Sequence, residues 1–511
     1  MSNAGDPISP SLAGDLEPDE RTADVVVIGG GVAGMVAALE CAKVGLRVAL
    51  LERRDTLGGC VGRIELDGLT LDSGAESFAT RGGAVAELLQ SLGLGDDIEK
   101  PDPAGAWLVM PGSNGTTDAA PLPRTGMLGI PANPLGDDVR RIIGWGGAVR
   151  AYADRLKPIL RIGRYRSLGH LVRSRMGQAV LDRLVTPISA GVYSSDPDDL
   201  DLDVVAPGLN EAMTRMGSLS GGVGQLIEER RAGSAVLGLR GGMHRLVDAL
   251  AGRLDRFGVE VVTGAEAAHL ARIRDGDGIG QADSAPEHPG WRIDAYRADG
   301  VLRYDASYVI VAAPSDASRR LLDEAALGWT AAENWPAAAS VDIVTLVLDA
   351  PALADAPRGT GVLVAAETPG VAAKALTHST AKWGWLADAA SPRQVVRLSY
   401  GRVGRSNPLT GLDDDAVARL ALADASVLLG TPLDASMLRA AGRSSWRDAL
   451  SQATLGQRDR VRELEDVLAA EPGIEATGSW VAGTGLASVV PHALEAARRI
   501  RHLAVKPADD A

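Results

Sequence analysis

Apolar residues 25–28 form an unbroken run that stops at three glycines, Gly29, Gly30 and Gly31. The run is too short for a helix and predicts a strand buried on both faces. Small and apolar residues then continue over 32–44 as a predicted helix, and residues 46–51 predict a second buried strand ending at Glu52. The same alternation returns far along the chain. Met243, Leu246, Val247, Leu250 and Leu254 recur at helical spacing ahead of a predicted strand at 259–263, and "YVIVAAP" (308–314) predicts a buried strand with a small-residue exit. Near the C-terminus, Gly483 and Gly485 precede a helix whose inner face carries Leu486, Val489, Val490, Ala493, Leu494 and Ala497. Strands alternating with helices predict an α/β fold around a parallel sheet.

Composition narrows the class. Of 511 residues, 46% are hydrophobic and 23% charged, which is ordinary for a globular chain of two or three domains. No apolar run reaches the ~18 residues of a spanning helix. A net charge of −14 excludes nucleic acid as an expected partner. Cys41 and Cys60 are the only cysteines, too few for a disulfide framework or a thiolate metal site, so a reducing, cytoplasmic setting is expected. Residues 1–22 are polar, punctuated by Pro and Gly, and expected as a disordered tail.

The first strand, glycines, helix and second strand make one chemical unit. Gly29-x-Gly31-x-x-Gly34 offers a tight turn, a close backbone approach to a pyrophosphate and close helix–strand packing. The helix start adds unpaired N–H groups and a positive dipole end. Glu52, 18 residues after Gly34, stands where an acid accepts ribose hydroxyls. The unit predicts dinucleotide binding and leaves FAD and NAD open. A second doublet, Gly58-Gly59, and "LDSGAESFATR" (71–81) come next in the chain.

This series of glycine fingerprint, acid, Gly-Gly and distant closing turn resembles the FAD-dependent amine oxidase and protoporphyrinogen oxidase superfamily. "DSGAESFATRGGAVAELLQSLGLGDDI", "SLGHLVRSRMGQAVLDRLVTPISAGVYSSDPDDLDL" (167–202), "LRGGMHRLVDAL" and "GTGL" resemble its protoporphyrinogen and coproporphyrinogen oxidases in order and approximate spacing. The resemblance implies a discontinuous Rossmann-like FAD-binding domain from residues 23–100, 235–316 and 437–505, with an interleaved α+β substrate domain from 101–234 and 317–436. Residues 274–290 are expected as a flexible hairpin loop. By position, the resemblance implies that Gly29, Gly30, Gly31, Val32, Ala33 and Gly34 hold the pyrophosphate and Glu52 the ribose, with Arg53 beside it. Gly59 and Cys60 fall on a second phosphate-side turn, Gly74, Ala75, Glu76 and Ser77 beside the isoalloxazine, and the backbone of Ala267 at the adenine. Trp446 falls near the flavin, and Gly485 and Leu486 on the final flavin turn. The chain departs from the family at Ala75, where Pro is usual, after Trp446, where Pro and Tyr are expected, and at Ala493, which replaces a helix glycine.

The implied reaction is porphyrinogen oxidation, with hydride leaving a meso carbon for the flavin in three two-electron rounds and oxygen as acceptor. Coproporphyrinogen III is the expected substrate, with protoporphyrinogen IX, another superfamily chemistry or a non-catalytic tetrapyrrole carrier as alternatives. Such chemistry needs orientation more than an acid or base, so no catalytic side chain is named, and His170, His244 and His269 are read as structural or surface groups. The segment 139–175 is unlike the rest of this acidic chain, carrying nine Arg and one Lys against one Asp. Three readings are open: a solvated helical face, a peripheral membrane surface led by Ile142, Ile143, Trp145, Leu156, Ile159 and Leu160, or a surface in which Arg140, Arg141, Arg150, Arg161, Arg164 and Arg166 steer an anionic substrate. A homodimer is also left open.

Overall fold

The computed structural model describes residues 17–124, 126–157, 164–230, 236–273, 290–325, 329, 335–336, 339–450 and 453–505. Arg161, Ile159, Leu160 and most of the expected hairpin loop at 274–290 lie outside these residues. Two seven-stranded sheets organise the fold. In the first, Glu260–Val262, Val48–Leu51, Asp19–Ile28, Gly300–Val311 and Ile474–Ala476 run parallel in that spatial order. Trp291–Arg297 and Glu266–Arg272 extend it as an antiparallel meander from Gly300–Val311.

Both faces of this sheet are covered, and that is why the first strand reads as an unbroken apolar run. Val25 and Val27 face the helices Val32–Ala42, His244–Arg256 and Leu486–Ala504. Val26 and Ile28 face a second core that includes Trp291, Tyr304 and Trp480. The expected helix at 32–44 stops at Ala42, with Lys43 as its cap and Gly45 turning the chain in left-handed geometry. The first strand begins inside the segment expected as a tail: Asp19 already pairs with Leu302. Arg21 anchors it by ion pairs to Asp19 and Glu260, so the partner strand draws residues 19–22 into the sheet.

The second sheet runs Leu438–Leu450, Ala339–Leu348, Gln394–Tyr400, Ala375–His378, Gly361–Val364, Ala106–Pro111 and Thr117–Pro121. Leu438–Leu450 falls within the stretch 437–505 assigned above to the first domain, yet it is an edge strand of this sheet and pairs with Ala339–Leu348. Its alternation carried no sign of which sheet it would join, because either edge accepts an antiparallel strand. The helix Asp414–Leu429 covers one face; Asp413 caps its start by accepting from Ala416 N at 2.7 Å, and Gly430 ends it.

A helical layer between residues 137 and 230 packs around Val139, Ile142, Leu171, Val172, Leu184 and Leu209. One buried ion pair ties it together. Arg175 donates to Asp154 at 2.5 Å, and the other carboxylate oxygen caps the helix Leu219–Arg230 through Leu219 N at 2.7 Å and Ser220 N at 3.1 Å. Arg175→Leu strands a buried carboxylate, and a loss of about 3–5 kcal/mol is expected, read as a lower thermal midpoint of the purified protein.

Candidate active site

The glycine turn is closed on three sides and open on one. A Cβ at Gly34 would stand 1.9 Å from Gly29 O, one at Gly29 would stand 2.7 Å from the Ala312 carbonyl, and one at Gly30 would meet Leu57 and Glu52. At Gly31 a Cβ would meet only Gly59 Cα, at 3.9 Å. Space therefore opens beside Gly31, whose backbone runs close to Gly59 and whose segment is joined to it by Gly58 N–H to Gly30 O at 2.8 Å. The helix Val32–Ala42 starts at that opening with no capping side chain and no acid in its first turn. Backbone donors beside an open cradle suit a pyrophosphate.

Glu52 is fixed before any ligand arrives. One carboxylate oxygen accepts from Gly30 N–H at 2.7 Å and the other from Arg54 N–H at 2.9 Å. Each oxygen keeps lone-pair capacity for a ribose hydroxyl. The backbone around Glu52 is laced to residues 262–265, through Glu52 N to Val262 O and Ala265 N to Glu52 O. Arg53 reaches Glu266 at 3.8 Å, which brings Ala267 to the same corner at an irregularity in its strand pairing.

Gly74 and its neighbours form a loop pinned by residues 60–62 on one side and by Trp446 of the second sheet on the other. Ser73 N–H donates to Gly62 O and Ala75 N–H to Cys60 O. Trp446 Nε1–H donates to Ser73 O at 3.0 Å, and a Cβ at Gly74 would be 2.0 Å from Cys60 O and 3.1 Å from the Trp446 ring. Arg54 lies over that ring, 5.0 Å from its centroid. Gly485, in left-handed geometry, caps the helix that begins at Leu486, and Arg81 bonds Ser488 in its first turn at 2.9 Å. Ser77 is half-buried in the same loop as Gly74.

Glu76 has charged partners that its position in the loop did not announce. Its carboxylate turns to the second sheet and the short helix beside it, where it accepts from Lys382 Nζ at 2.5 Å and Arg397 Nη1 at 2.8 Å. Burial opposes its charge, but the two cations outweigh burial and hold the carboxyl down to about 2. Sequence reasoning missed Lys382 and Arg397. An Arg inside the apolar strand "QVVRLSY" was the available signal, since a buried guanidinium requires a partner. Asp72 was missed as well; it accepts from Met243 N, His244 N and His244 Nδ1 at 3.0–3.1 Å, holding the helix start at His244 against the loop. His170 and His269 are exposed, the latter on Glu324 at 2.6 Å.

The basic segment is largely paired off. Arg140 meets Asp137, Arg164 meets Asp203 and Glu211, Arg166 meets Asp459 and Arg173 meets Asp198. Arg150 donates to the carbonyls of Ser174 and Arg175, and Arg141 is exposed. Ile142 and Ile143, expected on an outer apolar face, are buried in the core of the helical layer, and Gly144 breaks the helix Asp137–Tyr152 directly after them. The exposed apolar stripe is instead Trp145, Val149, Tyr152 and Leu156, which are 65%, 59%, 39% and 81% exposed.

Comparison with known proteins agrees with this geometry. The chain belongs to the flavin containing amine oxidoreductase family, which it matches over residues 32–500. It is an FAD-dependent oxidoreductase. It is 30% identical over 470 residues to the coproporphyrinogen III oxidase of Mycobacterium tuberculosis, covering 91% of this chain and 94% of that one. The coproporphyrinogen III oxidase of Bacillus subtilis is 24% identical, over 90% and 94% of the two chains. Protoporphyrinogen oxidase 1, chloroplastic, of Arabidopsis thaliana is also 24% identical, over 94% and 88%. A solved structure from Exiguobacterium, provisionally named a protoporphyrinogen oxidase, shares the fold with a TM-score of 0.76 at 24% identity over 95% and 99% of the chains.

Gly31→Val fills the open side of the turn and is expected to abolish FAD loading, giving a folded but colourless protein. Glu52→Ala removes a preset acceptor of ribose hydroxyls, and calorimetric titration of the apoprotein should show FAD binding weakened by about 1.5–3 kcal/mol. Unchanged affinity in Glu52→Ala would show that the acid does not hold the ribose.

Proposed function

We propose that this enzyme oxidises coproporphyrinogen III to coproporphyrin III in haem biosynthesis, with molecular oxygen accepting the electrons. The match over nine tenths of the chain to proteins named coproporphyrinogen III oxidase carries the reading. Protoporphyrinogen IX is the alternative substrate, supported by the chloroplast relative. When bound, FAD supplies two-electron oxidation of a macrocycle carbon. The protein's own part is placement: Gly29–Gly34 and Gly59 cradle the pyrophosphate, Glu52 takes the ribose, and the backbone of residues 74–77 with Trp446 shapes the flavin side of the substrate space. No acid or base side chain is assigned: His244 is held on Asp72, His269 is held on Glu324, and His170 lies exposed on the helical layer.

The substrate-steering reading of the basic segment loses ground, because Arg140, Arg164 and Arg166 are neutralised in ion pairs. A peripheral membrane contact gains it. Trp145, Val149 and Tyr152 are spaced four and three residues apart, one face of a helix, and Leu156 follows in the next turn, with Arg140 stacked 4.1 Å from the Trp145 ring centroid and Arg155 5.3 Å from that of Tyr152. Exposed Arg141 and Lys157 flank the stripe. A second copy would bring its own cations against these, whereas an anionic lipid surface supplies the opposite charge. The contact proposed is a surface one, made from the cytoplasmic side; no helix among the described residues is long and apolar enough to cross a membrane.

Porphyrin fluorescence under air should show a kcat/KM about tenfold higher for coproporphyrinogen III than for protoporphyrinogen IX, on the scale that recognition of extra charged groups supplies; a higher value for protoporphyrinogen IX overturns the substrate. Co-sedimentation with phosphatidylglycerol vesicles should be lost in the Trp145→Asp, Leu156→Asp double variant and retained in a surface variant at Arg256. Equal sedimentation of parent and double variant would remove the membrane reading.

A further inference from the structure

The loop at 73–77 is expected to meet the flavin, yet its fixing points on one side belong to the other domain. Arg397 sits in the interior strand Gln394–Tyr400, between partners in Ala339–Leu348 and Ala375–His378 at Thr345 and Thr377. A residue in the interior of a sheet has little freedom to move. From there its guanidinium forks: Nη2 donates to Gly74 O at 2.5 Å and Nη1 to Glu76 Oε2 at 2.8 Å. Lys382 takes the other oxygen of Glu76. The short helix that carries it, Ser379–Lys382, is itself pinned, because the His378 ring and the Thr380 hydroxyl share Gln394 Oε1 at 3.0 and 2.8 Å. The cavity against this cluster, lined by Glu76, Ser379, Arg397 and Trp385, holds about 10 Å³, room for roughly one water.

We propose that Arg397 and Lys382 are positioning residues for the oxidation, acting through Gly74 and Glu76 to hold the flavin-side loop against the substrate-side sheet. The device works by geometry. Arg397 reaches a carbonyl and a carboxylate through two nitrogens of one rigid plane, a spacing that a lysine's single nitrogen on a flexible stem does not reproduce. Two cations on one carboxylate keep Glu76 charged throughout the pH range of an assay, so the clamp does not open by titration of that group. A misplacement of about 1 Å by groups remote from the chemistry can cost up to about a hundredfold in rate. A clamp spanning two domains is placed to prevent one.

The inference rests on the reading that the flavin lies against residues 74–77, and its first test needs no substrate. In holoenzyme, Arg397→Lys should keep the parent's thermal midpoint to within a few degrees while amide hydrogen exchange at residues 73–77 speeds up by about tenfold. With coproporphyrinogen III, its kcat should fall about tenfold or more with KM within about threefold of the parent, the signature of lost placement rather than lost binding. Lys382→Arg, which can still pair with Glu76, should recover most of the rate lost in Lys382→Ala. Parent-like exchange and kcat in both Arg397→Lys and Arg397→Ala would overturn the proposal, as would equal loss in Lys382→Arg and Lys382→Ala. Faster exchange in a protein whose parent turns over no porphyrinogen would sustain the clamp and reject the proposed substrate.

Discussion

Everything at the cofactor end depends on one close approach, the seating of the first helix directly on the turn that precedes it. A side chain at Gly34 would collide with Gly29 O at 1.9 Å and come within 3.3 Å of Ala312 Cβ. Because nothing is there, the ends of the two central parallel strands and the start of the helix converge on one point. That convergence leaves Gly31 facing open space, aims the helix N-terminus into it, and lets the Glu52 carboxylate reach Gly30 N–H. An alanine at Gly34 would lift the helix and undo all three at once. The cost of these glycines is conformational entropy, and the gain is a turn set for its ligand before binding.

The same economy of side chains carries on outward from the turn. Ala37 and Ala38 on the first helix and Ala493 and Ala497 on the last are fully buried in one cluster, so these helices pack closely. Ala493, which departs from the family's glycine, is accommodated in that core without exposure. Through this contact the C-terminal turn at Gly485, more than 450 residues from Gly31 in the chain, is tied to the first helix. Segments far apart in the chain are held together here by small residues, with hydrophobic burial spread over three helices.

Local chemistry was legible in the sequence, and long-range pairing was not. The first strand, the glycine turn, Glu52 and the C-terminal helix could be read because each is specified within about twenty residues by burial and turn geometry. Leu438–Leu450 could be read as extended but not assigned to a sheet, since its neighbour Ala339–Leu348 lies a hundred residues away. The ion pairs of Glu76 had no local sign, because its partners Lys382 and Arg397 come from more than 300 residues downstream. Buried charge has no sequence period, so only its oddness inside an apolar run marks it. Residues 19–22 failed as a tail for the same reason, being ordered by a strand that begins at Gly300.

The basic segment shows how far such distant partners can change a reading. Within residues 139–175 ten cations face one acid, but the fold brings Asp198, Asp203, Glu211 and Asp459 to them from elsewhere, and Asp137 stands just outside the window. Paired in this way, the segment projects little field beyond about 8 Å at physiological salt. In a chain of net charge −14, an approaching anion at longer range meets the acidity of the whole. The segment's remaining reach is short: apolar rings with guanidinium groups stacked on them, and a few cations left at the rim. A surface of that kind gains free energy only at contact, where apolar area is buried and anionic groups come within a few ångströms of the rim. Its physics therefore favours an interface over an attractor for small anions in solution.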